Sequence, residues 1–112
     1  MDLTSSNNEN ILVITVQEQR IDAAVALAFK DRMRELTEGP ARTVVLDLDH
    51  VSFIDSSGLG AIVAAMKNLA PDRTLVLAGL TGTVDKVFRL TRMDTVFGLY
   101  GSVDDALKAL RG

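Results

Sequence analysis

The sequence predicts an α/β domain, with a mixed or largely parallel sheet of about four to five strands and about four α-helices. Three observations predict it. Short β-branched apolar runs recur along the chain; stripes of helical period lie between them; and Gly, Pro, Asp or Ser stands at nearly every junction. A chain of 112 residues, 47% hydrophobic and without a low-complexity run, suits one compact domain around a single core.

Each element follows from its own stretch of sequence. Met1 to Asn10 is polar and rich in Ser and Asn, so residues 1–10 are expected to form a flexible lead-in to a domain over residues 11–112. Ile11 to Val16 (ILVITV) is a β-branched strand, continued across a turn into Gln19 to Ile21. Asp22 is placed as an N-cap. From Ala23 to about Thr37, Val25, Phe29, Met33 and Leu36 form one helical stripe, and Glu38-Gly39-Pro40 stops the helix. Thr43 to Leu48 (TVVLDL) is almost continuously apolar up to Asp47, as a central strand covered on both faces requires, and Val51 to Ile54 extends it after a kink. Leu59, Ile62, Val63, Met66 and Leu69 form the stripe of a second helix over about Ser57 to Asn68, which Pro71 ends. Thr74 to Ala78 is another strand. Val84, Val87, Phe88 and Thr91 mark a third helix, and Val96 to Tyr100 is a last strand weakened by Gly98. Ser102 caps a final helix in which Val103, Ala106, Leu107 and Leu110 share a face, with Asp104 and Asp105 at its positive end.

Composition excludes several functions. The chain has no cysteine and one histidine, His50, which removes disulfides and thiolate metal sites and leaves little for a zinc site; no metal and no cofactor is expected. A net charge of -3 argues against direct nucleic-acid binding, which needs a basic face. No basic-apolar leader and no apolar run of membrane-spanning length is apparent, so the expectation is a cytoplasmic protein without membrane contact. Asp47 and Asp49 read as a solvated strand end, and Lys86, Arg89 and Arg92 as a solvated basic stripe balanced by Asp85 and Asp94.

One junction stands apart. In Ser52 to Met66 (SFIDSSGLGAIVAAM) a strand meets Asp55-Ser56-Ser57-Gly58 and becomes a helix, at a place where α/β sheets carry their ligand loops. Unpaired N–H groups and the positive end of the helix dipole meet there, and Gly58 and Gly60 keep the approach open. The turn suits a plain helix cap, the commoner use of Asp and Ser, and it equally suits an anionic group such as a phosphate on a serine. A nucleophile elbow is disfavoured because the residues two places before Ser56 and Ser57 are Ile54 and Asp55, not glycine, and the one histidine to act as base is His50, six residues upstream of Ser56. Gly58-Leu59-Gly60 lacks the third glycine of a dinucleotide fingerprint, and no P-loop lysine motif is present.

The run Leu46-Asp47-Leu48-Asp49-His50-Val51-Ser52-Phe53-Ile54-Asp55-Ser56-Ser57-Gly58-Leu59-Gly60 resembles the signature of STAS domains, in particular of the small bacterial anti-sigma factor antagonists (anti-anti-sigma factors). Arg20 to Ala24 (RIDAA), Thr74 to Leu80 (TLVLAGL) and Val96 to Leu107 (VFGLYGSVDDAL) continue the likeness over about Ile11 to Leu110, with Gln19 standing where the family often has Gly. The resemblance implies a single STAS-like domain and a non-enzymatic partner switch. Such proteins bind an anti-sigma factor, a serine kinase of the histidine-kinase-like ATPase class, and so release a sigma factor. The kinase phosphorylates the antagonist, and a PP2C-type, metal-dependent serine/threonine phosphatase resets it.

By position in the motif the phosphate acceptor is Ser56, with Ser57 as the neighbouring cap. Asp22 and Asp55 are the acids beside it, and Asp22, Asp55, Ser57, Gly58, Leu59 and Gly60 form the partner surface. Self-association, if the free protein has any, is expected as a weak homodimer. The alternative is a STAS-like scaffold or transport accessory subunit, in which the same turn engages a transporter ATPase or signalling assembly without a phosphorylation cycle. A nucleotide-binding or hydrolytic domain is a third reading, favoured by the helix N-terminus alone.

Overall fold

The computed structural model describes residues 1–111. The hairpin that opens it pairs β1 (Leu3–Asn8) with β2 (Ile11–Val16) antiparallel, from Leu3 against Val16 to Asn8 against Ile11. The lead-in expected over residues 1–10 is therefore corrected, since Leu3–Asn8 is the edge strand of the sheet. Its polar side chains are no obstacle, because an edge strand leaves most of them in solvent and Leu3 alone of its residues is buried. Glu9 and Asn10 close the hairpin with φ of 52° and 72°, the left-handed pair that a two-residue type I′ turn needs.

After β2 come β3 (Arg20–Ile21), α1 (Ala26–Leu36), β4 (Thr43–Asp47), β5 (Phe53–Ile54), α2 (Ser56–Leu69), β6 (Thr74–Ala78), α3 (Gly82–Leu90), a 3₁₀ turn (Met93–Thr95), β7 (Leu99–Tyr100) and α4 (Val103–Arg111). The main sheet has the order β1-β2-β4-β6-β7, parallel throughout except at the β1 edge. Each crossover from β2 onward carries a helix, the connection that parallel strands require.

Both faces of the sheet are covered, which is why TVVLDL reads as continuously apolar. On one face Leu12, Ile14, Val16, Val44, Leu46, Leu75 and Leu77 join Phe29 and Met33 of α1, Ile62 and Leu69 of α2, and Val84 and Phe88 of α3 in the larger core. Alternate residues, Ile11, Val13, Val45 and Val76, pack on Ala106 and Leu107 of α4. Phe88 and Phe97 meet edge to face, 6.1 Å between centroids, and close the α3 end of the larger core.

Two further expectations change. Val51 to Ile54 does not prolong β4: β5 pairs in parallel with β3, Arg20 against Phe53 and Ile21 against Ile54, in a separate two-stranded ribbon. The last strand shrinks to Leu99–Tyr100, because Phe97 turns inward from the end of the 3₁₀ segment. Ser102 caps α4 as expected, its Oγ accepting the Asp105 N–H at 3.1 Å. No helix among the described residues is long and apolar enough to cross a membrane.

Candidate functional site

The β3–β5 ribbon carries both loops of the site. Beyond β3 the chain turns through Asp22 to Val25, and beyond β5 it enters α2 directly. The Gln19 carbonyl accepts the backbone N–H groups of Ser52 and Phe53, at 2.9 and 3.2 Å, so the ribbon is fixed before its loops begin. Gln19 is not among the residues with positive φ, and the approach to Asp22 needs no glycine there. The Arg20 guanidinium lies 4.1 Å above the Phe53 ring and donates to Asp22 Oδ2 at 3.3 Å, tying the start of the turn to the ribbon.

Asp55 joins the two loops. Its Oδ1 accepts the Gly58 N–H at 2.8 Å, which makes Asp55 the N-cap of α2, and its Oδ2 accepts the Ala23 N–H of the neighbouring turn at 3.2 Å. One carboxylate thus satisfies an open donor at the helix start and holds the Asp22–Val25 turn beside it. Alanine at Asp55 is expected to lower stability by about 1–2 kcal/mol, with asparagine recovering part of it because one oxygen can still cap. Thermal unfolding of the two variants checks this, and an unchanged midpoint for the alanine variant would refute it.

Ser56 and Ser57 follow as the first two residues of α2, both exposed, and neither side chain hydrogen-bonds to another of the described residues. The cap expected at Ser57 is therefore corrected: the longer carboxylate one residue before the helix reaches Gly58 N–H. The cap expected at Asp22 is corrected as well. α1 begins only at Ala26 with Val25 at its N-cap position, and Asp22 Oδ1 instead closes a local turn by accepting the Ala24 N–H at 3.1 Å.

The glycines divide. A Cβ on Gly58 would stand 2.0 Å from the Ile21 carbonyl oxygen, so this buried residue lets α2 press against β3 and contributes to the surface only by holding its neighbours in place. Gly60 is exposed with open space around it, and Leu59 is half-buried against the larger core. Ser57 and Gly60 beside Ser56 on α2, and Ala23 and Ala24 in the turn that Asp55 holds, are small and exposed, and Leu27 in the first turn of α1 is 67% exposed. Leu27 is absent from the sequence expectations; the signal for it is an apolar residue lying off the Val25-Phe29-Met33 stripe.

The acids and cations set aside in the sequence keep structural duties. Asp47 accepts from Thr15 Oγ1 at 3.4 Å and from the Asp49 N–H at 3.0 Å, and the described residues hold no group of three or more His, Asp or Glu arranged to bind a metal ion. Arg89 reaches both carboxylate oxygens of Asp85, at 3.2 and 3.0 Å; that hydrogen bond first, then the attraction between the charges, raises the pKa of its guanidinium. His50 is exposed.

The STAS domain family model matches residues 3–106. An anti-sigma-F factor antagonist of Mycobacterium tuberculosis is 23% identical over 98% of this chain and 89% of its own length. An anti-sigma-B factor antagonist of Listeria monocytogenes is 32% identical over 68% of each chain. The crystal structure of an anti-sigma factor antagonist from Mycobacterium paratuberculosis superposes with a TM-score of 0.88 at 25% identity, covering 99% of this chain and 94% of that one.

Proposed function

This chain belongs to the STAS domain family, and we propose that within it the protein acts as an anti-sigma factor antagonist, a binding regulator rather than an enzyme. It binds an anti-sigma factor serine kinase of the histidine-kinase-like ATPase class through the face around Ser56 and so frees a sigma factor. Phosphorylation of Ser56 ends the binding, and a PP2C-type phosphatase restores it. The work is cytoplasmic and needs no cofactor.

The observation that carries this reading is the position of Ser56. It is exposed on the first residue of α2, directly after the Asp55 cap, with small residues around it. A kinase needs an accessible hydroxyl, and Ser56 offers one free of the hydrogen bonds that hold the fold. A phosphate there meets the positive end of a 14-residue helix, which offsets part of the repulsion from Asp22 and Asp55 within the domain. Ser57 is exposed too, so the assignment between them rests on position in the motif.

The test is phosphate mapping. The protein is incubated with its anti-sigma kinase and ATP and the site is read by mass spectrometry in wild type, Ser56→Ala and Ser57→Ala. One phosphate on Ser56, lost in Ser56→Ala and kept in Ser57→Ala, is expected. Phosphate on Ser57 would move the switch by one residue, and no transfer to a protein that still binds the kinase would favour a scaffold without a phosphorylation cycle.

A further inference from the structure

We infer that the free edge of β1 pairs with β1 of a second copy of this chain, giving an antiparallel two-fold dimer. The observations that carry it lie in the opening hairpin and are independent of the function proposed for Ser56.

The register of the hairpin fixes which backbone groups are free. A two-residue turn at Glu9 and Asn10 makes the flanking Asn8 and Ile11 a hydrogen-bonded pair, and such pairs alternate along an antiparallel ladder. Asn8, Ser6 and Thr4 therefore point their N–H and C=O groups at β2. The Gln17 N–H bonded to the Asp2 carbonyl at 2.9 Å continues the same even-numbered set. Leu3, Ser5 and Asn7 are left with their N–H and C=O groups on the outer edge, where the sheet order ends at β1.

This edge lacks the devices that keep strands apart. Residues 3–8 (LTSSNN) contain no Lys, no charge and no Pro. Of the charges that flank it, Glu9 pairs with Arg111 at 3.1 Å, and Asp2 belongs to the set whose backbone faces β2, its carbonyl accepting the Gln17 N–H.

The edge is also complementary to itself. With Ser5 opposite Ser5 on the two-fold axis, Leu3 faces Asn7 and Asn7 faces Leu3, so all three outward residues of each copy enter hydrogen-bonded pairs. In that register Asp2 faces Asn8 and Glu9 faces Met1, so no like charges oppose one another. A shift by two residues loses one of these pairs. A contact confined to one short edge lies below the about 1,000 Å² of a stable interface, so the dimer is weak and concentration-dependent.

Sedimentation equilibrium from micromolar to millimolar protein, with amide hydrogen exchange at both ends of that range, tests it. The mass of the wild type should rise from one chain toward two. The Ser5 and Asn7 amides should gain protection with concentration, while Thr4 and Ser6 are protected throughout. Ser5→Pro removes an outward N–H, which an edge strand tolerates, and should stay at the mass of one chain. Ser5→Lys leaves the backbone donor intact, places two cations across the axis, and should do the same if the proline variant folds poorly. A wild-type mass of one chain throughout overturns the proposal. So does a dimer that persists in folded Ser5→Lys, or protection of Ser5 and Asn7 that appears only when a different protein is added.

Discussion

Alanine at Gly58 is expected to destabilise the domain by about 3 kcal/mol, enough to lower the unfolding midpoint by about 10 °C or more. The added Cβ would meet the Ile21 carbonyl oxygen at 2.0 Å and its carbon at 2.8 Å, both backbone atoms, with the Ile54 side chain at 3.0 Å. A flexible side chain could swing aside, but a carbonyl within the β3–β5 ribbon moves only if the ribbon moves. Alanine is the better helix former by about 1 kcal/mol, and the clash outweighs that gain. Gly60, two residues further along α2, supplies the control. Its Cβ would meet nothing within 4 Å, so Gly60→Ala should be neutral or stabilising by up to about 1 kcal/mol. Urea unfolding of both variants decides the matter: equal effects at the two positions would mean that Gly58 does not set the approach of α2 to β3.

This contrast separates two duties inside one short motif. Asp55 and Gly58 build the corner, one by bridging two loops and the other by letting backbones touch. Ser56, Ser57 and Gly60 are what the corner presents to solvent. A loss of partner binding in Gly58→Ala would therefore not by itself mark a contact residue, whereas the same loss in a stably folded Gly60→Ala would.

The alternation of strands and helices was legible in the sequence because the covered strands carry their apolar residues in unbroken runs. Val44, Val45 and Leu46 are all buried, facing alternately the α1–α3 layer and α4. β1 was not legible for the opposite reason. It buries Leu3 at one end, and the rest of its pairing is backbone hydrogen bonding, which LTSSNN cannot announce except through the turn at Glu9-Asn10. The site followed the same division. Asp55, Ser56 and Gly58 could be placed at a strand-to-helix junction from pattern alone. Which oxygen caps which N–H could not, since Asp22, Asp55 and Ser57 are all good caps and the choice rests on the distance between two loops remote in sequence. The β3–β5 ribbon, two residues on each side, is too short to leave a period.

Aspartate at Ser56 is expected to weaken binding to the anti-sigma kinase by more than a hundredfold while leaving the domain folded. Two environments pull the same charge in opposite directions. Within the free domain the new carboxylate sits in the first turn of α2, where the helix dipole favours it by about 0.3–1 kcal/mol, so the unfolding midpoint should stay within a few degrees of wild type. In the complex proposed for it, the carboxylate is asked to leave water and enter a closely packed face beside Asp55 and Asp22, where the one cation of the turn, Arg20, is already engaged by Asp22 at 3.3 Å. Burying an unpaired charge costs several kcal/mol, and about 3 kcal/mol already exceeds a hundredfold in affinity. Ser56→Ala loses no fold-supporting hydrogen bond and should bind within a few-fold of wild type. Isothermal titration of the purified kinase domain with the three proteins measures it. An aspartate variant that binds as tightly as wild type would mean that Ser56 lies outside the buried face, and the partner surface would then have to be sought elsewhere on the domain.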